Sequence, residues 1–454
     1  MEHVGRTAVE LARRVSTGEC SARSVVQEHL DHLAEVEHRL GAFVTVRSQA
    51  ALAEADEVDQ HPDRSTLPLA GVPVAVKDVI DVAGEPTRHG SLATSQEPAS
   101  VDDPLVRRLK DAGAVILGKT RCPELSLWGT SDDPTATVVS PWDPTRSAGG
   151  SSGGAAAAVS AGVVPLAVGT DGLGSVRIPA AACGVVGFRP GAPHLGAELG
   201  GRPHWFGMTR FGPLATTVAD AALLTEVMSG ARFALDAALS EPLDVAVSWR
   251  APAPGVTVSN AYREAALEAG RLLHHAGHEV TRADPPYDRA TVQAVVARWT
   301  QGAAADVAAL ELDPELLQPR TRAHMAAGER LAKVVEVVDE DVLRWRERVA
   351  PFFAEHDVLL TPAFARAQPS ATAWHTRPWA ANMAANLSAF PFTAAWNLAD
   401  IPSAVVPLWE EGGRPLSVQI VADVGREDRV LAVAALLGSM VPQPRHAPGW
   451  GVGG

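Results

Sequence analysis

Along the first sixty residues apolar positions recur at helical spacing: Val9, Leu11, Ala12 and Val15, then Val25, Val26, Leu30, Leu33 and Val36. Such a stripe predicts amphipathic helices. At "LAGVPVAVKDVIDVAG" the period changes. Residues 72–80 form a short, β-branched, mostly apolar run, the pattern of a strand buried on both faces. "VRRLKDAGAVILGKT" then reads as a helix stopped at Gly113 and a second buried strand over Ala114–Leu117. The rhythm recurs: Leu243–Ser248 is strand-like, Ala261–Ala276 helical, and "GHEVTRA" begins another strand. Further strands are predicted at 357–363, 403–409 and 416–422, and a closing helix at 428–438. Strands alternating with helices imply an α/β fold, a mixed and mostly parallel central sheet covered by helices on both faces. Without an internal repeat, charge block or long linker, residues 1–454 read as one large α/β/α domain. Helices occupy 1–65, and 285–395 is a more helical elaboration carrying Trp299, Trp345, Trp374, Trp379 and Trp396.

Composition narrows the function. A hydrophobic fraction of 46% over 454 residues is ample for a sizeable core. The net charge of −14 argues against nucleic acid or an anionic membrane as partner. Cys20, Cys122 and Cys183 are too far apart for a metal motif and odd in number for a disulfide framework. No basic leader precedes an apolar stretch, and no apolar run spans a bilayer. A soluble cytoplasmic protein acting on a small molecule, with no cofactor, is expected; a homodimer is compatible with the sequence.

The chain has four lysines, Lys77, Lys110, Lys119 and Lys333, against many arginines. A lysine in apolar surroundings therefore needs a reason. Lys77 lies inside a buried-strand pattern, where desolvation lowers an ammonium's pKa and produces an amine able to act as a general base. The competing reading is a salt bridge with Asp78 or Asp81. Lys119, at a strand exit, reads as a surface or ion-pair residue. The turn in "VGTDGLGSVRIPAAACGVVGF" interrupts two apolar stretches, and its successive N–H groups suit a developing oxyanion beside Ser175. Taken alone, it is equally a tight turn capped by a hydroxyl. "GGSSG" (149–153) satisfies the G-x-S-x-G nucleophile elbow with Ser151, but its approach, "SPWDPTRSA", is no strand. The phosphate-loop pattern is absent. Histidines at 29, 32, 38 and at 274, 275, 278 lie on or at the end of amphipathic helices without metal-ligand spacing, so no metal site is expected.

In combination, "GVPVAVKDVIDVAG", "AGAVILGKTRCPE", "PWDPTRSAGGSSGGAAAAVSAG", "GTDGLGSVRIPAAACGVVGF", "FGPLATTVADAALL", "NLADIPSAVVP" and "LSVQIVA" resemble the amidase signature family of serine hydrolases. The resemblance runs through essentially the whole chain in order, with 66–230 as the signature core. It implies the family's α/β fold and hydrolysis of a linear amide. It also implies a Ser–cisSer–Lys triad: Ser175 as nucleophile, Ser151 as the bridging serine preceded by a cis peptide bond, and Lys77 as general base. Backbone N–H groups of Gly172, Leu173, Gly174 and Ser175 would form the oxyanion hole, with Asp171 and Arg177 bracing the turn. Position 173 is Leu where the family usually has Gly, a change expected to narrow the pocket or force the turn's dihedrals. "GFRPGAPHLG" replaces the usual Lys-Pro-Thr. Alternatives within reach of the sequence are the glutamine-hydrolysing subunit of a tRNA-dependent amidotransferase, an α/β-hydrolase-type esterase using Ser151, and a silent binding protein.

Overall fold

The computed structural model describes residues 2–191, 194–253 and 255–452. Its strands are β1 (Phe43–Val46), β2 (Pro73–Lys77), β3 (Val115–Thr120), β4 (Leu166–Asp171), β5 (Val186–Arg189), β6 (Glu198–Leu199), β7 (Arg202–Pro203), β8 (Arg210–Ala215), β9 (Asp244–Val247), β10 (Glu279–Arg282), β11 (Val358–Pro362), β12 (Ser403–Glu411) and β13 (Arg414–Ala422). Eleven of these form a single mixed sheet in the order β1-β3-β2-β4-β8-β5-β12-β13-β11-β9-β10. Parallel pairing is concentrated in two blocks, β3-β2-β4 and β11-β9-β10. The β4-β8-β5-β12-β13-β11 stretch between them is antiparallel throughout, as is the β1 edge. Every residue of β2, β3, β4, β5 and β11 is buried. Successive side chains of a strand face opposite ways, so burial at every position means that both faces are covered.

The N-terminal stripe forms helices Ala8–Ser16 and Ala22–Leu40. Thr7 and Ser21 cap them by accepting the N–H groups of Glu10 and Ser24, each cap contributing about 1 kcal/mol. Helix Gly153–Ser160 ("GGAAAAVS") has every residue buried, because its small side chains let it lie between β2, β4 and β8 and the short helix Arg177–Cys183. The 285–395 section supplies helices Arg289–Ala309, Pro319–Ala332, Glu340–Glu355 and Trp379–Ala389 and contributes β11 to the sheet. Between these helices and the sheet sits a second apolar cluster containing Trp128, Trp205, Trp299, Trp345 and Trp396. No helix among the described residues is long and apolar enough to cross a membrane.

The histidines of the first cluster have structural partners. His29 and His32 are buried and meet the carbonyls of Val163 and Ala161 at 2.9 and 2.8 Å. Lys119 corrects the surface half of its expectation: it is fully buried, ion-paired with Asp78 at 2.9 Å and donating to Pro86 O. Its partner is the carboxylate considered above for Lys77. Within "GFRPGAPHLG", Ala192 and Pro193 lie outside the described residues.

Candidate active site

Lys77 ends β2, and Thr170 and Asp171 end the neighbouring β4, so the site forms at the carboxyl ends of adjacent parallel strands. Lys77 is fully buried. Its Nζ contacts Ser151 Oγ at 2.6 Å and Thr170 Oγ1 at 2.8 Å, and it makes no ion pair among the described residues. Desolvation lowers its pKa from 10.5 to about 8, against smaller raising effects from Cys122 and Asp171. The alternative of a salt bridge to Asp78 is thereby replaced, since Asp78 belongs to Lys119.

The peptide bond between Gly150 and Ser151 is cis. Gly150 has to be glycine on packing grounds: a Cβ there would sit 2.5 Å from Trp128 O and 2.8 Å from Thr130 N. The two serines of this loop have separate partners. Ser151 faces Lys77, whereas Ser152 Oγ donates to Thr170 O and accepts Thr170 N–H, both at 3.3 Å, and Ser152 N–H donates to Ser175 O at 3.1 Å. Those contacts hold the loop against both β4 and the Ser175 turn. No strand enters Ser151, as an α/β-hydrolase elbow requires; residues 141–152 carry only isolated bridges.

Ser175 follows β4 by one tight turn and borders a cavity of about 110 Å³. Gly174 is in the left-handed region at φ 122°, and a Cβ there would meet Thr393 Oγ1 at 2.3 Å, so glycine is required. The Gly174 N–H does not stand open as an oxyanion donor: it donates to Asp171 Oδ1 at 2.6 Å. This corrects the expectation for Gly174. The turn closes on a side chain, and the N–H groups of Gly172, Leu173 and Ser175 are the ones without a partner among the described residues. Leu173 does not have a positive φ, so the substitution puts no side chain in the left-handed region and instead places one on the cavity wall.

Asp171 and Arg177 form a fully buried ion pair, with Nη2 to Oδ1 and Nε to Oδ2 both at 2.9 Å. Burial alone would raise the Asp171 pKa; the Arg177 guanidinium outweighs it and holds the carboxyl well below the usual range. Arg177 also donates to Gln419 Oε1 at 2.9 Å and to Asn397 Oδ1 at 2.5 Å, and Asn397 donates back to Asp171. Thr170, Asn397 and Gln419 are site residues that sequence reasoning left without a role. Their one local signal is an amide or hydroxyl side chain within otherwise apolar runs, as in "LSVQIVA".

A fold built on this sheet, with a buried lysine reaching a serine at a cis peptide bond beside a second serine on a glycine turn, defines a class: the chain belongs to the amidase signature family, hydrolases of amides. The family profile described as Amidase matches residues 24–431. The AmiB2 protein of Mycobacterium tuberculosis (strain ATCC 25618 / H37Rv) is 36% identical over 461 residues, covering 97% of both chains. Among solved structures, 6-aminohexanoate cyclic dimer hydrolase in complex with substrate superposes with a TM-score of 0.88 at 26% identity, over 98% of this chain and 99% of that one. A bacterial aryl acylamidase of the same family gives 0.84 at 25% identity over 98% of each chain.

Proposed function

We propose that the chain hydrolyses a linear carboxamide through an acyl-enzyme on Ser175. The observation that carries this reading is the contact of the buried Lys77 with Ser151, made without a carboxylate at ion-pairing distance among the described residues. A neutral Nζ has one lone pair and two protons. The lone pair accepts the Ser151 O–H while one N–H donates to Thr170 Oγ1, so both hydroxyl contacts are used in the basic form.

Ser175 Oγ attacks the carbonyl carbon as its proton passes to Ser151, whose own proton passes to Lys77. The carbonyl oxygen becomes an oxyanion that accepts the N–H groups of Gly172, Leu173 and Ser175, each donor worth about 3 kcal/mol in comparable sites. Collapse breaks the C–N bond. The leaving nitrogen takes a proton from Ser151, which recovers one from Lys77, and ammonia or an amine departs. Water then attacks the ester, giving its proton to the same relay, and the acid leaves with Ser175 restored.

Two other readings lose support. No ionisable side chain among the described residues lines the cavity to pair with the α-ammonium and α-carboxylate of glutamine, which disfavours the reading as a glutamine-hydrolysing amidotransferase component. An esterase using Ser151 as nucleophile lacks both the entering strand and a histidine partner for that hydroxyl among the described residues.

The test is kcat/KM on a primary amide for the wild type and for Ser175→Ala, Ser151→Ala and Lys77→Ala. Each variant should lose about 10⁴-fold or more while remaining folded. A Ser175→Ala protein that retains wild-type activity while Ser151→Ala alone loses it overturns the assignment of the nucleophile.

A further inference from the structure

The cavity beside Ser175 is walled by Trp128, Leu173, Val295, Trp299, Leu387 and Phe390, with no ionisable side chain among its described residues. Its polar side chains are mostly committed elsewhere. Asn386 Oδ1 accepts the Gly129 N–H at 2.7 Å and its Nδ2 donates to Asn382 O at 2.8 Å, and Thr291 Oγ1 donates to Asp288 at 2.8 Å. The Ser126 hydroxyl and the Trp128 indole N–H, both buried and without a hydrogen-bond partner among the described residues, offer two neutral contacts. The nearby ionisable groups are segregated. His89, Asp103, Glu198, His204 and Asp306 line a separate cavity of about 40 Å³ that also borders Thr170 and shares Ser126 with the first. Moreover, Asp306 is occupied there, accepting the Trp205 indole N–H at 2.8 Å and pairing with His204 at 3.2 Å.

Resting on the acyl-enzyme reading above, we propose that the substrate is an amide with an uncharged, apolar acyl group, aliphatic or aryl, and that the wall around Val295 and Trp299 enforces this by excluding charge. A carboxylate or ammonium carried into this cavity gives up its water and finds neither a counter-ion nor a set of free donors or acceptors. An alkyl or phenyl group gains by the same transfer, and the indole faces offer it edge or stacked contacts.

Hexanamide, 6-aminohexanamide and adipamic acid share a chain length and differ in a terminal methyl, ammonium or carboxylate. Hexanamide and 3-phenylpropanamide should exceed both charged amides in kcat/KM by about 10³-fold, the ratio that several kcal/mol of unpaired desolvation produces. Val295→Asp should raise 6-aminohexanamide relative to hexanamide and depress adipamic acid further. A parallel readout needs no turnover: hexanamide should slow labelling of the wild-type protein by an alkyl fluorophosphonate at concentrations where the charged amides do not. A charged amide turned over within about tenfold of hexanamide, or protecting equally well, overturns the proposal. Labelling at a residue other than Ser175 instead counts against the acyl-enzyme reading, and the order of protection still reports the cavity's preference.

Discussion

In the proposed mechanism the pH dependence of the reaction follows from one side chain. An ordinary lysine with pKa 10.5 is neutral to about 0.03% at pH 7, whereas burial of Lys77 lowers its pKa to about 8 and makes the neutral fraction about 10%. Desolvation thus supplies roughly 300-fold more base at neutral pH. In the proposed mechanism the neutral amine is the working form, so activity should be lost as pH falls through that value and should saturate above it. Between pH 6 and pH 8 the neutral fraction climbs from about 1% to about 50%, so kcat/KM should rise about 50-fold on a limb of unit slope. The assay is kcat/KM for a primary amide from about pH 6 to about pH 10 at fixed ionic strength, a range set by roughly 2 units below and above the inflection. Thr170→Val removes an acceptor that favours the ammonium at 2.8 Å and should shift the limb to lower pH. A profile that inflects near 6.5 and survives Lys77→Ala would refute the reasoning and point to a histidine base.

Two buried lysines should respond oppositely to the same change. Lys119→Met strands the buried Asp78 and should cost about 3–5 kcal/mol in urea unfolding. Lys77→Met removes an ammonium with no carboxylate partner and should leave stability unchanged or raised while abolishing turnover. Gly150→Ala places a methyl 2.5 Å from Trp128 O, so the loop has to move; activity should be lost, with a lowered melting temperature as the check. An alanine variant as active as wild type would show that the Gly150–Trp128 approach is not required.

Elements whose pattern is local were legible in the sequence, and elements defined by their partners were not. The strands expected at 357–363 and 416–422 are Val358–Pro362 and Arg414–Ala422, and the helix expected at 261–276 is Asn260–His275. The run 72–80 ends as a strand at Lys77, because Asp78 turns away to meet Lys119 and the Arg88 N–H. By contrast, β5 and β8 are the short segments "VGFR" and "RFGPLA", the latter broken by glycine and proline; antiparallel pairing with neighbours makes them strands. The same divide runs through the site. Lys77 stands out locally because an ammonium interrupts a buried-strand pattern, whereas the roles of Ser151 and Ser175 come from the family resemblance, since a Gly-rich loop and a tight turn each admit a plainer reading. The cavity wall does not stand out, being assembled from 126–129, 291–299 and 386–395, and neither does the commitment of the Gly174 N–H to Asp171.

The central claim is that Ser175 carries the acyl group. Rapid quenching during turnover of an activated ester of an apolar acid, followed by digestion and mass spectrometry, reads this directly. The acyl mass is predicted on the peptide containing Ser175, absent in Ser175→Ala and accumulating in wild-type protein at low pH. The same mass on Ser151 or Ser152, or an unmodified Ser175 throughout turnover, would contradict it.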